Sequence, residues 1–460
     1  MTATPEAAPA EAAPARPAGW GEAFAVYLQP RVLIVLFLGF SSGLPLALSG
    51  STLLFWMREE GVDLATIGLF ALVGTPYTLK FIWAPVVDAL DVPLLSRLLG
   101  RRRAWLILSQ LLLMGAIAFL AFCDPARTPW LVAFGALLVA TASATQDIVI
   151  DAFRVESLDE REQAAGMASY VAAYRIGLLV SGLGAFYFVS GFEWAGFTKH
   201  SAWTAGYLVM AGFVAVGMLT TLAATEPDKS ALVQAVHAKD NPLRRVIRAA
   251  VEAFSEFLTR DAAIIVLIFV VLYKFCDAFA GVMTAPFVID LGFTRTDYAN
   301  IVKGVGLAAT LIGGFAGGFV ARAYPLSTSL WIGGILQMVS NLPFAWLAVA
   351  GTNYWALTAA IIAENFTGAI GTVIFVAYLS SLCQSPLHTA TQFALLTALA
   401  AVGRTYLSAG AGFVAAATGW VWFFFISAVV AIPGLILLAW LQQRGHFAEL
   451  SKPKVIALDD

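Results

Sequence analysis

The sequence predicts an all-α integral membrane protein with twelve transmembrane helices. Of its 460 residues, 60% are hydrophobic and 12% are charged, whereas soluble domains average about 45–50% apolar and about 25% charged residues. The mean hydropathy is +0.82, and twelve stretches contain the roughly 20 apolar residues that a membrane helix requires. This composition excludes a soluble enzyme and a disordered chain, and the net charge of −2 indicates no nucleic-acid partner.

The predicted spans form two groups of six. They cover residues 32–56, 65–87, 104–122, 130–152, 164–189, 202–224, 262–289, 298–321, 326–350, 354–381, 389–417 and 420–442. A polar segment with the basic run Arg244-Arg245-Val246-Ile247-Arg248 separates the two groups. We therefore expect a disordered cytoplasmic tail (1–25), an N-terminal six-helix bundle (26–224), a cytoplasmic linker (225–261), a C-terminal six-helix bundle (262–442) and a second cytoplasmic tail (443–460).

The distribution of basic residues predicts the orientation of the chain in the membrane. Of the 27 lysines and arginines, eighteen fall in segments on the side of the N-terminus, four in the opposite loops and five within spans. Because Lys and Arg accumulate in cytoplasmic loops, both termini are expected in the cytoplasm.

Two matched pairs of residues indicate an internal repeat. Gln163 precedes Arg175 by twelve residues at span 5, and Gln392 precedes Arg404 by twelve residues at span 11. The two pairs are offset by 229 residues, about half of the chain. Secondary transporters are commonly built from such repeats and bind their substrate at the interface between them.

Eight ionisable side chains lie inside the predicted spans, where each costs roughly 2.5–3.5 kcal/mol at a helix centre. They are Lys80, Asp147, Arg175, Lys274, Asp277, Lys303, Glu364 and Arg404. Those of spans 5, 7, 10 and 11 fall near the middle of the bilayer, which predicts a central cavity between the bundles. The alternative is ion pairing that only holds helices together, since Lys274 and Asp277 are three residues apart on one helical face.

Three carboxyl groups are candidates for carrying a proton, namely Asp147, Asp277 and Glu364. Burial favours the protonated form of a carboxyl group, whereas a nearby cation favours the ionised form. The sequence does not select one of the three.

Charged residues at the cytoplasmic helix ends are candidate gates. Asp151 and Arg154 lie one turn apart at the end of span 4 and predict a gate or a helix-end ion pair. Asp88 and the basic turn that begins at Arg101 resemble the latch between spans 2 and 3 of the major facilitator superfamily, with a wider spacing. The alternative role of this basic turn is to anchor the chain on the cytoplasmic side.

Small residues and prolines predict local features of the helices. The run Gly313-Gly314-Phe315-Ala316-Gly317-Gly318 contains two overlapping Gly-x-x-x-Gly pairs, which favour close helix packing. Pro45 and Pro76 are expected to kink spans 1 and 2.

No sequence pattern indicates catalysis or a metal site. The cysteines Cys123, Cys276 and Cys383 and the four histidines are scattered without ligand spacing. Neither a nucleophile elbow nor a phosphate-binding glycine loop is found. We therefore expect no cofactor, no enzymatic activity and transport driven by an ion gradient.

Many stretches resemble the AmpG-type muropeptide transporters of the major facilitator superfamily. In the first half they are LGFSSGLPLAL (38–48), DLATIGLF (63–70), Lys80-Phe81, Trp83-Ala84-Pro85, QDIVIDA (146–152) and YRIG (174–177). In the second half they are LYKFCDAF (272–279), Glu364-Asn365, ATQFALL (390–396) and VGR (402–404). The resemblance extends over nearly all twelve spans.

The resemblance implies an inner-membrane permease with two pseudo-symmetric six-helix bundles. It implies proton-coupled import of N-acetylglucosaminyl-anhydro-N-acetylmuramic acid, with or without peptide, for cell-wall recycling and β-lactamase induction. We expect a monomer in the lipid bilayer. The residues expected to bind the substrate are Arg175, Lys274, Arg404, Gln146, Tyr174, Asn365 and Gln392.

Other functions stay open at this point. A carrier of another anionic metabolite, such as a coenzyme A ester, would share the fold and the intramembrane cations. A membrane sensor of wall fragments would need a signalling domain, and a membrane enzyme would need a nucleophile.

Overall fold

The computed structural model describes residues 25–159, 162–227, 262–382 and 389–450, and all regular structure within them is helical. Outside the described part lie residues 1–24 and 451–460 of the predicted tails, most of the predicted linker, and the side chains of Asp88, Gln163 and Gln392. The predicted second tail contains a short described helix, His446–Leu450. Ten long helices come first: α1 Pro30–Glu59, α2 Leu64–Ile82, α3 Arg101–Ala121, α4 Pro129–Ser157, α5 Ala165–Trp194, α6 Lys199–Ala223, α7 Ala263–Asp290, α8 Arg295–Ala323, α9 Leu326–Ala350 and α10 Tyr354–Leu382.

The last helical stretch contains two membrane helices. It begins at Thr389 and ends at Gln443, and it is interrupted at Gly419, whose φ of 75° and ψ of 167° are not helical. Glycine adopts a positive φ at little cost because it has no Cβ atom. The break separates α11 (389–418) from α12 (420–443), so the last two predicted spans lie on separate helices. The span predicted over 65–87, by contrast, runs past the end of α2 into a short helix, Ala84–Ala89.

Eight of the twelve helices have irregular backbone near their middle, including turns in α9 at Ser340–Asn341 and in α12 at Val430–Ala431. The helix α1 breaks at Gly50 and α7 breaks at Lys274, while 3₁₀ turns interrupt α2 (Phe70–Gly74) and α11 (Leu407–Gly410). Wider π turns interrupt α5 (Val180–Gly184) and α8 (Tyr298–Val305). The interruptions of α1, α2 and α5 recur in α7, α8 and α11 by a shift of six, as an internal repeat predicts, whereas those of α9 and α12 have no counterpart in the continuous helices α3 and α6. Irregular backbone at membrane depth is tolerated where it borders a cavity or is buried in protein.

The two prolines expected to cause kinks are not themselves the breaks. The helix α1 continues through Pro45 and is interrupted five residues later. Pro76 lies in the first turn of the short helix Thr75–Leu79, after the 3₁₀ turn. A proline fits the first turn because its missing N–H would have no helical partner there.

Glycines bring particular helices into backbone contact. A Cβ atom at Gly43 would overlap the carbonyl oxygen of Tyr174, and one at Gly39 would lie 2.9 Å from the Cα atom of Tyr170, so α1 and α5 pack directly against each other. In α8, a Cβ atom at Gly313 would overlap the carbonyl oxygen of Phe366 in α10, whereas one at Gly314 would meet open space. Of the two overlapping glycine pairs, Gly313 and Gly317 pack against α10, whereas a Cβ atom at Gly314 or Gly318 would meet open space among the described residues.

The hydrophobic core joins the two bundles at one end of the molecule, which we call the sealed end. Phe55 and Phe186 of the N-terminal bundle pack against Tyr298 of the C-terminal bundle, with their ring centroids 4.8 and 5.3 Å from that of Tyr298. Toward the opposite end, which we call the open end, the buried clusters belong to one bundle each. Within the described residues, the bundles therefore adhere at the sealed end and separate toward the open end.

A pair of glycine substitutions tests the packing of α8 against α10. Replacing Gly313 with Ala forces a methyl group onto α10 and should destabilise the protein by about 1–3 kcal/mol, the usual cost of overpacking. Replacing Gly314 with Ala adds the same methyl group to open space and should leave stability unchanged. Thermal unfolding of the two variants in detergent checks this. Equal melting temperatures would contradict the packing.

Candidate functional site

A cavity of about 690 Å³ lies between the two bundles. Its volume falls within the range of about 300–1,000 Å³ that is typical of small-molecule sites. The ionisable groups on its wall are Arg175 and Tyr77 from the N-terminal bundle and Asp277, Tyr298, Lys303, Glu364 and Arg404 from the C-terminal bundle. The irregular segments of α1, α2 and α8 contribute to the same wall. The predicted central cavity therefore exists, and both bundles form it.

Arg175 and Arg404 occupy related positions on the cavity wall. They lie on α5 and α11, and both side chains are exposed to the cavity. Neither guanidinium has a hydrogen-bond or ion-pair partner among the described residues. Arg donates through a planar fork that suits carboxylate groups, so the two side chains can bind an anionic ligand from opposite bundles.

Lys303 is a cavity residue that the sequence did not single out from the other intramembrane charges. Its Nζ atom donates a 2.6 Å hydrogen bond to Oγ of Ser51, which follows the break in α1. The same atom lies 5.4 Å from the ring centroid of Tyr298. Lys303 thus connects the bundles inside the cavity. The feature that distinguishes Lys303 is its position beside irregular helix segments. These segments are not visible in the sequence, so no signal in the sequence distinguishes this residue.

Lys274 lies in an ion pair and does not line the cavity. Its Nζ atom is 2.7 Å from Oδ2 of Asp277 and 3.1 Å from Oγ1 of Thr372. The pair lies at the break of α7, where Lys274 ends one helical segment and Asp277 opens the next. Asp277 borders the cavity. The ion pair is the arrangement expected under the alternative interpretation, in which Lys274 and Asp277 neutralise each other.

Glu364 and Asn365 of α10 both face the cavity. Asn365 accepts a 3.2 Å hydrogen bond from Thr310 of α8 and donates one of 3.0 Å to the carbonyl of Ile361. The carboxyl group of Glu364 has no hydrogen-bond partner among the described residues. A carboxyl group in this setting can accept a proton or bind a ligand cation.

Three predicted residues lie inside the N-terminal bundle, outside the cavity wall. Gln146 is fully buried and its Oε1 accepts a hydrogen bond from Ser41. Tyr174 stacks on Tyr170 at a centroid distance of 6.2 Å. Asp147 accepts a 2.5 Å hydrogen bond from Ser42. Direct binding of a cavity ligand by Gln146 and Tyr174 is therefore not favoured in this conformation, because neighbouring helices surround them.

The predicted gating residues at the open end make contacts within the N-terminal bundle. Arg154 lies 3.9 Å from Asp151 on its own helix and 6.0 Å from the ring centroid of Tyr170. In the basic turn, Arg101 opens α3, and Arg102 lies 2.5 Å from Glu156 of α4. These contacts tie α3, α4 and α5 together.

Strong charged contacts between the bundles lie at the sealed end. Arg58 of α1 makes two hydrogen bonds to Asp290 of α7, at 2.5 and 2.7 Å. Arg295 of α8 is 8% exposed and binds both Glu59 of α1, at 2.8 Å, and Glu193 of α5, at 2.5 Å. The sequence placed these residues in or beside loops and did not identify them as a gate.

A nearby loop residue, Asp63, starts α2. Its carboxylate accepts hydrogen bonds from the hydroxyl and the backbone N–H of Thr66. The bond from the Thr66 hydroxyl is the main reason why the pKa of Asp63 lies below its usual value. The cap therefore stays ionised near neutral pH and holds the start of α2 at the sealed end.

The family model of the major facilitator superfamily matches residues 35–405. The anhydromuropeptide permease of Escherichia coli K12 is 40% identical over 429 residues, which are 93% of this chain and 82% of the relative. The putative transporter AmpG 4 of Rickettsia felis is 33% identical over 421 residues, which are 91% of this chain and 98% of the relative.

Two solved transporter structures share the fold. The nucleoside transporter NupG has a TM-score of 0.67 at 14% identity and covers 92% of this chain and 100% of its own. The xylose transporter XylE of E. coli has a TM-score of 0.61 at 12% identity and covers 91% and 97%. At these identities, the likeness concerns the fold alone.

The contacts at the sealed end predict that removing them opens the cavity from that side. The double variant Arg58→Ala, Arg295→Ala should increase labelling of a Gly281→Cys probe on the cavity wall by a membrane-impermeant maleimide, applied from the sealed side of a protein without native cysteines. The control is Arg127→Ala, whose arginine pairs only weakly with Asp124 of its own loop. Unchanged labelling of the double variant would show that the core seals this end without the charges.

Proposed function

The chain belongs to the major facilitator superfamily and, within it, to the family of the anhydromuropeptide permeases, and from this we propose that it imports anhydromuropeptides by proton-coupled alternating access. It is a membrane transporter and not an enzyme. The proposed substrate is N-acetylglucosaminyl-anhydro-N-acetylmuramic acid with or without its peptide. Import takes it from the periplasm to the cytoplasm, across the inner membrane of a bacterium.

The observation that carries the proposal is the pair of unpartnered arginines on opposite walls of the cavity. Anhydromuropeptides carry carboxylate groups on their peptide, and the forks of Arg175 and Arg404 suit such groups. A ligand that bridges both arginines would attract α5 of one bundle toward α11 of the other. Such binding would favour closure of the open end, which is the step that alternating access requires.

The remaining wall of the cavity suits the other parts of this substrate. Glu364 offers a negative charge for the ammonium group of a peptide residue such as diaminopimelate. Asn365 offers an amide group for the hydroxyl and acetamido groups of the sugars. Lys303 donates a hydrogen bond to Ser51 of the other bundle, and a substrate carboxylate would compete with Ser51 for this donor.

The direction of import follows from the conformation together with the basic-residue distribution. By sequence, eighteen of the 27 basic residues are predicted on the N-terminal side of the membrane. Since α1 begins at the open end, this excess indicates that the open side is cytoplasmic. We therefore assign the sealed end to the periplasm. In this assignment the conformation described is the one that releases substrate to the cytoplasm, and separation of Arg295 from Glu59 and Glu193 accompanies return of the cavity to the periplasm.

Uptake into proteoliposomes tests the function. Labelled anhydro-disaccharide tripeptide should accumulate when a proton gradient is imposed and should only equilibrate without one. Liposomes without protein give the background. Uptake of a coenzyme A ester in place of the muropeptide would contradict the proposed substrate, and accumulation that ignores the gradient would contradict proton coupling.

Substitution of the cavity arginines tests the site. Arg175→Ala and Arg404→Ala should each lower uptake about 10- to 100-fold, the loss expected when a hydrogen bond to a charged group worth about 1.5–3 kcal/mol is removed. Arg404→Lys should recover part of the uptake, because Lys keeps the charge but not the fork. Arg322→Ala, which removes a cation from the end of α8, is the control. Reduced membrane abundance of the alanine variants would indicate a structural role.

A further inference from the structure

A second polar cluster lies within the N-terminal bundle, apart from the cavity wall. Ser42 of α1 donates a 2.5 Å hydrogen bond to Oδ1 of Asp147 in α4. Its oxygen lies 2.9 Å from the hydroxyl of Tyr170 in α5. Because the hydrogen of Ser42 is used toward Asp147, Tyr170 is the donor in the second bond. Three helices are thus connected by one hydrogen-bond chain that ends at a carboxylate.

This chain of hydrogen bonds can form because glycines allow α1 and α5 to approach each other closely. Gly39 and Gly43 of α1 lie against the backbone of Tyr170 and Tyr174. Side chains at these two positions would force α5 away and would separate Ser42 from the Tyr170 hydroxyl. Close packing of small residues is a common way to bring polar side chains of membrane helices together.

Asp147 has no ion-pair partner in the described part of the chain, although charged and titratable groups lie around it. The groups that face it are Tyr77 and Lys80 of α2, Tyr170 and Tyr174 of α5, and Asp151 of its own helix. Lys80 is not within ion-pair distance, and Asp151 is paired with Arg154. Asp277, by contrast, is held by Lys274 at 2.7 Å. Of these two aspartates, Asp147 is the one whose ionised form has no contacting cation.

Both protonation states of Asp147 can be accommodated by reversing the hydrogen bonds. The ionised carboxylate accepts from Ser42, as observed. A protonated carboxyl group can instead donate to Ser42, which then donates to Tyr170. A single proton therefore changes the direction of the bonds that connect α1, α4 and α5.

The cluster lies between groups at the open end and groups on the cavity wall. The guanidinium of Arg154 lies over the ring of Tyr170, toward the open end of α4. On the other side, Tyr77 lines the cavity, and its hydroxyl is buried without a hydrogen-bond partner among the described residues. Tyr174 stacks on Tyr170 and directly precedes Arg175, a cavity arginine. The cluster is therefore positioned between the open-side water and the substrate wall.

We propose that Asp147, with Ser42 and Tyr170, forms a proton-binding site separate from the substrate cavity, and that this site couples the proton to transport. The inference rests on the proposed function and makes it more specific. It assigns the proton to Asp147, whereas Asp277 is paired with Lys274 and Glu364 faces the substrate cavity. Protonation alters the bonds between α1, α4 and α5. Substrate would contact one of these helices, α5, through Arg175.

The test separates coupling from substrate binding. In proteoliposomes, Asp147→Asn should retain exchange of labelled for unlabelled anhydro-disaccharide tripeptide within about twofold of the unaltered protein, and should lose accumulation driven by a proton gradient. Asp159→Asn, which changes an exposed aspartate 3.4 Å from Arg31 just beyond the end of α4, is the control and should keep both activities. Gradient-driven accumulation by Asp147→Asn would overturn the proposal, and so would equal loss of exchange and accumulation.

Two further measurements test the proton site even if Asp147→Asn is unstable or the proposed substrate is wrong. Ser42→Ala removes the donor to the ionised carboxylate, so the pH of half-maximal uptake should move upward, and an unchanged pH profile would overturn the proposal. An infrared pH titration of the purified protein should show a carboxyl band that Asp147→Asn removes. This readout needs no substrate, so a missing band overturns the proton site, whereas missing uptake by the unaltered protein overturns the proposed function.

Discussion

A charge that faces lipid at the centre of a membrane helix costs roughly 2.5–3.5 kcal/mol, and the arrangement of the helices follows from this constraint. Arg175, Arg404, Lys303 and Glu364 are directed to a cavity between the bundles, where water and ligands can solvate them. Lys274 and Asp277 neutralise each other at its edge. Both arrangements, charges facing the cavity and charges paired at its edge, require polar space inside the protein. The intramembrane charges therefore need the cavity, and they also form its polar wall.

The same constraint accounts for the irregular backbone beside the cavity. A break in a membrane helix leaves carbonyl and N–H groups without helical partners, which lipid cannot solvate. The breaks of α1 and α7 fall at Gly50 and Lys274, close to polar side chains that can contact them. Polar lining and broken helices therefore occur together, and both give the bundles places at which they can bend during transport.

Adhesion between the bundles is concentrated at one end. Aromatic side chains and two arginine-centred sets of ion pairs join the bundles there. At the other end, Arg102 pairs with Glu156 and Arg154 with Asp151, in each case within the N-terminal bundle. Buried ion pairs contribute little net stability because desolvation offsets their attraction. The arginines at the sealed end are therefore better suited to define two alternative conformations than to hold the protein folded.

The sequence by itself determined the number of helices, the division into two bundles, the intramembrane charges and the family, because hydrophobic length and local motifs are properties of contiguous residues. The break at Gly419 could be placed from sequence for the same reason. Contacts across the fold were decided only by the tertiary structure. Examples are Lys303 with Ser51, Arg295 with two glutamates, and Ser42 between Asp147 and Tyr170. These partners are separated by many residues, and their meeting depends on how glycines and helix breaks orient whole helices, which no local pattern records.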